Sequence, residues 1–231
     1  MLPEGSIYPK AQRAVRDVVR QRAHLVRQHT ANGLSRPNII VRNTGSRLSA
    51  KRIDALTPED LERRLPEADQ VLAVSSSLVL LHCLGQQITT LEKAITQRLK
   101  HTPAYEQLLS VDGIGALWAQ PIVLETGASG RLPTVGNDAS YCRCVPRTKI
   151  RNGKRKGQGN IKNGHPYLAW ASMEAAQCAL RFHPRVQRFS QRQEVKTPRV
   201  LARKAVAHTR SRACYSIMRD LVPFDVHKAF G

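Results

Sequence analysis

YEQLLSVDGIGALWAQPIVLETG, residues 105–127, sets two apolar runs on either side of Val111-Asp112-Gly113-Ile114-Gly115. Apolar residues at three- and four-residue steps make each run helical, and the glycines supply a turn between them. Ala116 and Ala119 are small enough to let the helices cross closely, the pattern of a helix-hairpin-helix. The amides of such a turn and of the start of the second helix can donate to a phosphate oxygen, with glycine needed for the positive φ and close approach. An ordinary glycine-containing turn fits the same residues. Pro121, inside the second run, is expected to kink or shorten that helix.

Downstream, YCRCVPRTKIRNGKRKGQGNIKNGH, residues 141–165, carries Arg143, Arg147, Lys149, Arg151, Lys154, Arg155, Lys156 and Lys162 and no acid. Like charges repel, and Gly153, Gly157, Gly159 and Gly164 disfavour a helix. The segment is therefore expected to stay an open loop until a polyanion neutralises it. Lys149, Lys154, Arg155, Lys156 and Lys162 are the candidate phosphate contacts, in a mode of binding that is sequence-independent and salt-dependent. A disordered basic linker is the alternative. Next, PYLAWASMEAAQCALRF, residues 166–182, reads as a helix opened by Pro166, with Leu168, Ala171, Ala175, Ala179 and Phe182 turned to the core. From Arg181 to Arg219 eleven bases stand against Glu194 alone. A last helix after Pro198 is expected to turn Ala202, Val206, Ala213, Ile217 and Leu221 inward and its charges outward.

Upstream, Pro3, Gly5 and Pro9 make residues 1–10 an extended entry. From Ala11 to about Asn32 a helix carries Val15, Val18, Val19, Leu25 and Val26 on one side and Arg13, Arg16, Arg20 and Arg27 on another. That stripe is either a solvated face or a phosphate-contacting one. Eleven bases against Glu4 and Asp17 in residues 1–52 exceed what self-pairing can balance. Residues 53–109 reverse the sign, with eight acids and five bases. Within them Thr57-Pro58-Glu59-Asp60 opens a short helix. A long helix from about Val71 to Lys100 then spaces Val74, Leu78, Leu81, Leu84, Ile88, Leu91, Ile95 and Leu99 near-heptad fashion. Such a seam wants a partner helix, in a second chain or within this one. The chain reads as mainly α in three parts: a basic helix over 1–52, a helical, coiled-coil-like connector over 53–104, and a C-terminal domain over 105–231 with the helix-hairpin-helix and the basic loop.

Composition narrows the partners. With 231 residues, 41% of them hydrophobic, the chain can build real cores, while 37 bases against 17 acids give a net +20 and a pI near 10.6. Nucleic acid is the first partner implied, and an acidic membrane surface the weaker one. The longest apolar stretch, Val71 to Leu84, falls short of the roughly 20 residues that cross a bilayer, and MLPEGSIYPK lacks the pattern of a signal peptide, so a cytoplasmic location is expected. Five cysteines, odd in number, suit reduced thiols. Cys142-x-Cys144 lacks a second pair, the histidines show no ligand spacing, and no residue is assigned to metal.

The hairpin stretch 105–127 and the loop NGKRKGQGNIKNGHPYLAWA (152–171), with residues 2–32, VGNDASYCRCV (135–145) and KAVAHTRSRACYSIMRDLVPFD (204–225), resemble the IS-one-ten, or DEDD, family of bacterial insertion-sequence transposases. The resemblance implies a RuvC-like domain, of which residues 1–52 would be the C-terminal remnant, supplying four acids for a divalent metal such as magnesium. It also implies a C-terminal domain with a serine nucleophile that links covalently to DNA. Element-end and target DNA, a guide or bridge RNA, and homo-oligomers or hetero-oligomers with a full-length transposase are the partners it implies, at the bacterial nucleoid. Two departures matter. The family's four acids precede the Leu-Pro-Glu-Gly segment, which here is residues 2–5, so this chain is expected to be a truncated form without the metal site. The family's serine position falls on Arg151, and an always-protonated guanidinium cannot attack phosphorus. Neither Thr148 nor Ser140 nearby is expected to substitute. The expectation is a catalytically dead remnant that still binds nucleic acid, with a binding-only regulator of an intact transposase or a structural RNA-binding protein as alternatives.

Overall fold

The structure, a computed structural model, describes residues 8–111, 113–145, 148–158 and 163–230. Among these, eleven α-helices, a 3-10 turn and one two-stranded sheet make the fold mainly α, as the sequence implies. The chain divides into two compact units, Met1–Arg16 with Ile95–Gly231, and Asp17–Ala94.

The second unit holds most of α1 (Lys10–Thr44), α2 (Ala50–Asp54), α3 (Pro58–Arg64) and most of α4 (Ala68–Leu99). Helix α1 runs well beyond the expected end near Asn32, through Gly33 and Pro37, and stops at Gly45 with φ 68. Tertiary contacts override the local stop signals. Arg22 meets Glu92 at 2.7 Å, and Gln70 Nε2 donates to Asn43 Oδ1 at 3.1 Å. The two pairs have nearly constant index sums, so α1 and α4 lie antiparallel for about 30 Å. Ile40, Ile53, Leu61, Leu65, Val74 and Leu78 form the core there. Thr57 and Asp60 close a capping box on α3.

Of the heptad seam, Val74, Leu78, Leu81, Leu84, Ile95 and Leu99 are buried within the chain. An opposite side of α4 is exposed, with Leu72 and Val79 each more than two-thirds accessible. Counted over its full 32 residues, α4 is long and apolar enough by length and composition to cross a bilayer, which the shorter stretch Val71 to Leu84 did not indicate. Its Glu92 pairs with Arg22 and its Val74 and Leu78 pack on α1 to α3, contacts of an amphipathic bundle helix.

The first unit is built around α10 (Arg199–Asp220), which touches α5 (Pro103–Leu108), α7 (Val135–Tyr141), α8 (Pro166–Phe182), α9 (Pro184–Glu194) and α11 (Val226–Phe230). Helix α6 (Ala116–Thr126) lies on α8 and continues through Pro121 to end at Gly127, neither stopping nor shortening at the proline. Ala171, Ala175, Ala176 and Ala179 are fully buried and let α6 and α10 approach α8 closely. Three expectations need correction, two inward and one outward. Phe182 is 72% exposed because α8 ends there, and Leu221 is 49% exposed because it caps α10 in a left-handed conformation, φ 53. Arg210, expected outward, is 1% exposed, since helices surround α10 at that level; its guanidinium lies 5.9 Å from the Phe224 ring.

Between α7 and α10, buried Asp138 accepts from Ser211 Oγ at 3.0 Å and from the Cys142 thiol at 3.8 Å. Burial pushes its carboxyl up to about 6, against the pull of those two bonds and of Arg131. Below pH ~3.9 the group is protonated whether folded or not, so it contributes nothing. As pH rises to about 6 the unfolded chain ionises first, and the folded state loses about 3 kcal/mol relative to it, a loss complete above pH 6. Urea unfolding of Asp138→Asn should therefore gain on the parent between pH 4 and 7; parallel curves would refute the assignment.

Gly113, φ +79, lies where a Cβ would stand 2.8 Å from the backbone nitrogen of Ala179 on α8. Gly115 has open space around it. Gly113→Ala should cost about 2–3 kcal/mol and lower Tm by roughly 5–10 °C, while Gly115→Ala should cost at most about 1 kcal/mol. Equal melting temperatures would contradict the packing role.

Candidate nucleic-acid interface

Residues 148–158, expected as an open loop, form a β-hairpin: β1 (Thr148–Arg151) pairs antiparallel with β2 (Lys154–Gln158). The Asn152-Gly153 dipeptide explains the difference. Both residues have positive φ, 51 and 70, as a two-residue primed turn requires, and Asn-Gly is the pair that adopts it most readily. Repulsion between like charges is overcome by that turn but not removed. Arg151 sits directly across from Lys154, and Ile150 across from Arg155, in a two-stranded sheet with five cations and no acid. Like charges directly opposite destabilise a strand pair, and two strands alone are marginal in water. A polyanion laid along the hairpin relieves that repulsion.

The hairpin springs from a closed neck. Arg143, in left-handed conformation with φ 56, donates from Nε and Nη2 to the Gly164 carbonyl at 3.1 and 2.8 Å. The His165 amide donates to the Tyr141 carbonyl at 2.7 Å. Gly164, φ +103, comes so near that a Cβ would stand 2.7 Å from that same carbonyl. One of the eight cations counted in the loop, Arg143, thus holds the neck rather than a phosphate. His165 continues the clamp: its Nδ1 accepts the Leu168 amide at 3.4 Å to cap α8, which leaves Nε2 to carry a proton toward Glu125 Oε2 at 3.2 Å.

Glu125 is 1% exposed and also accepts from Arg16 Nε at 2.6 Å. Arg16 lies over the Tyr8 ring, whose hydroxyl donates to the Leu124 carbonyl. Sequence reasoning missed this network because its members lie 40 and 109 residues apart. The one available signal was Glu125 itself, a lone acid in the apolar run of α6.

The candidate contacts therefore divide. Lys154 and Lys156 are exposed on β2, and Arg151 is exposed at the end of β1. Lys149 and Arg155 lie on the same two strands, whereas Lys162 falls outside the described residues. Arg13 is exposed, with Nε on the Tyr8 carbonyl at 2.9 Å, while Arg16 is committed to Glu125. Arg20 is half-buried and Arg27 exposed on α1 in the second unit. Gly113 makes its close approach to α8, and Gly115 is the exposed N-cap of α6. Among the described residues no group of three or more His, Cys, Asp or Glu side chains converges. The buried thiols are held un-ionised: burial pushes Cys144 up to about 11 and Cys214 up to about 12.

No curated protein of significant similarity matches the chain. Residues 105–191, from within α5 through the neck, the hairpin and α8 into α9, match the transposase IS116/IS110/IS902 family.

Proposed function

We propose that this chain acts by gripping nucleic acid, element-end DNA and its guide RNA, through the β1–β2 hairpin, without breaking a phosphodiester bond itself. The hairpin's exposed cations, standing on a fixed neck inside a transposase-family domain, carry the reading. Lys154 and Lys156 release counterions on binding, and the exposed α6 start at Gly115 can add a backbone contact to a phosphate. Arg151 takes the serine position of the resemblance. It can hold a phosphate in bidentate fashion but cannot become a nucleophile. A chain that occupies the nucleic acid and leaves it intact would act as a binding-only regulator of an active relative, which the same arginine favours over an inert remnant.

Affinity for duplex DNA or structured RNA should fall steeply between about 50 and 200 mM salt. Replacing Lys154, Arg155 and Lys156 with alanine should lower the log–log salt slope by about 2–3 on duplex DNA. An unchanged slope would move the contact elsewhere.

Incubated with magnesium and insertion-end DNA, the purified chain should yield neither a cut strand nor a protein–DNA adduct on denaturing gels. An adduct mapped by mass spectrometry to any side chain would overturn the loss of chemistry.

A further inference from the structure

The outer side of α9 carries a cationic cleft. Arg185, Arg188, Gln191, Arg192 and Val195 line an open cleft of about 570 Å³ that contains no acid. Val186, Phe189 and Ser190 fasten the inner side of the helix, Val186 and Ser190 buried and Phe189 edge-on to Phe230. The next acid along, Glu194, accepts from Ser190 Oγ at 3.1 Å. The arginines follow at steps of three and four residues, about 4.5 and 6 Å apart along the axis. Arg192 donates from Nη2 to the Phe230 carbonyl at 3.2 Å, so Arg185 and Arg188 are the pair left to form a short cationic track.

An aromatic ring stands at its head. Phe182, the last residue of α8, is 72% exposed although its spacing from Ala175 and Ala179 would place it in the core. The corner that follows is held firmly. Gln187 Nε2 donates to the Leu180 carbonyl at 2.9 Å, and the His183 amide to the Ala179 carbonyl. A scattered exposed apolar side chain means little on its own. Here it lies three residues before the first arginine of the cleft. A flat exposed ring at the end of α8, followed across the corner by the guanidiniums of α9, supplies what unpaired nucleotides need: a surface on which a base stacks, and cations that follow the backbone. A duplex keeps its bases paired and offers no face to Phe182.

We propose that the α8–α9 corner is a second site, one for single-stranded polynucleotide, in which a base stacks on Phe182 and the following phosphates lie along Arg185 and Arg188. The inference rests on nucleic acid being the partner, but not on the hairpin being the contact.

The test is fluorescence polarisation of the whole chain with labelled oligothymidine of about 16 nucleotides and with a duplex of equal length. Phe182→Ala should weaken oligothymidine binding about tenfold and leave duplex binding within about twofold, and Phe182→Trp should restore it. Arg185→Ala with Arg188→Ala should lower the single-strand salt slope by about 1.4. Because Phe182 is exposed, thermal melting of its variants should match the parent, which separates lost binding from lost fold. Unchanged oligothymidine affinity in Phe182→Ala, or equal losses on single strand and duplex, would overturn the proposal. So would inorganic polyphosphate that competes equally well against parent and Phe182→Ala. If Lys154→Ala with Lys156→Ala changes nothing while the Phe182 effect stays, the hairpin reading fails and this one stands; the reverse pattern removes this one alone.

Discussion

The clasp between Arg143 and the Gly164 carbonyl is the constraint on which the C-terminal half depends. Both ends of the cationic segment are tied there, so its charges are held together at the junction of α7 and α8 instead of spreading apart. The same clasp places His165, and through His165 the start of α8 is joined to Glu125 on α6 and so to Arg16. Charged groups as buried as these are tolerated only when paired and hydrogen-bonded, and Glu125 has a partner on each side. Loosening one member would leave a carboxylate in the core without enough compensation.

A chain with net +20 must fold against its own repulsion. It does so by spending a minority of its cations on internal contacts. Arg16 and Arg22 take acids, Arg143 takes a carbonyl, and Arg210 is enclosed by helices. Arg151, Lys154 and Lys156 on the hairpin and Arg188 on α9 stay exposed, where they are available for association. A raw count of basic residues therefore overstates the binding surface, and burial decides which of them remain available.

Much of the helical pattern is legible in the residues. Pro166 to Phe182 and the Thr57 cap fall where the spacing puts them, because caps and apolar periodicity act locally. The hairpin was legible too, in Asn152-Gly153, but a reading that weighed charge and glycine content alone passes over that dipeptide. Arg210 was not legible, since nothing in α10 itself says that it will be surrounded. Nor was the meeting of Arg16, Glu125 and His165, which depends on packing between distant segments. The extension of α1 past Gly33 belongs with these: its support comes from α4, where Gln70 meets Asn43 from 27 residues away.

Helix α1 contributes to both compact units, and this has a bearing on how the protein is made. Asp17–Ala94 is contiguous, so it can close as soon as it leaves the ribosome. Tyr8 and Arg16 belong to the other unit, and their partners Leu124 and Glu125 are translated more than a hundred residues later. That unit also needs α10, which is translated later still. Tyr8 and Arg16 thus wait for contacts that close long loops, which makes that unit the slower of the two to assemble.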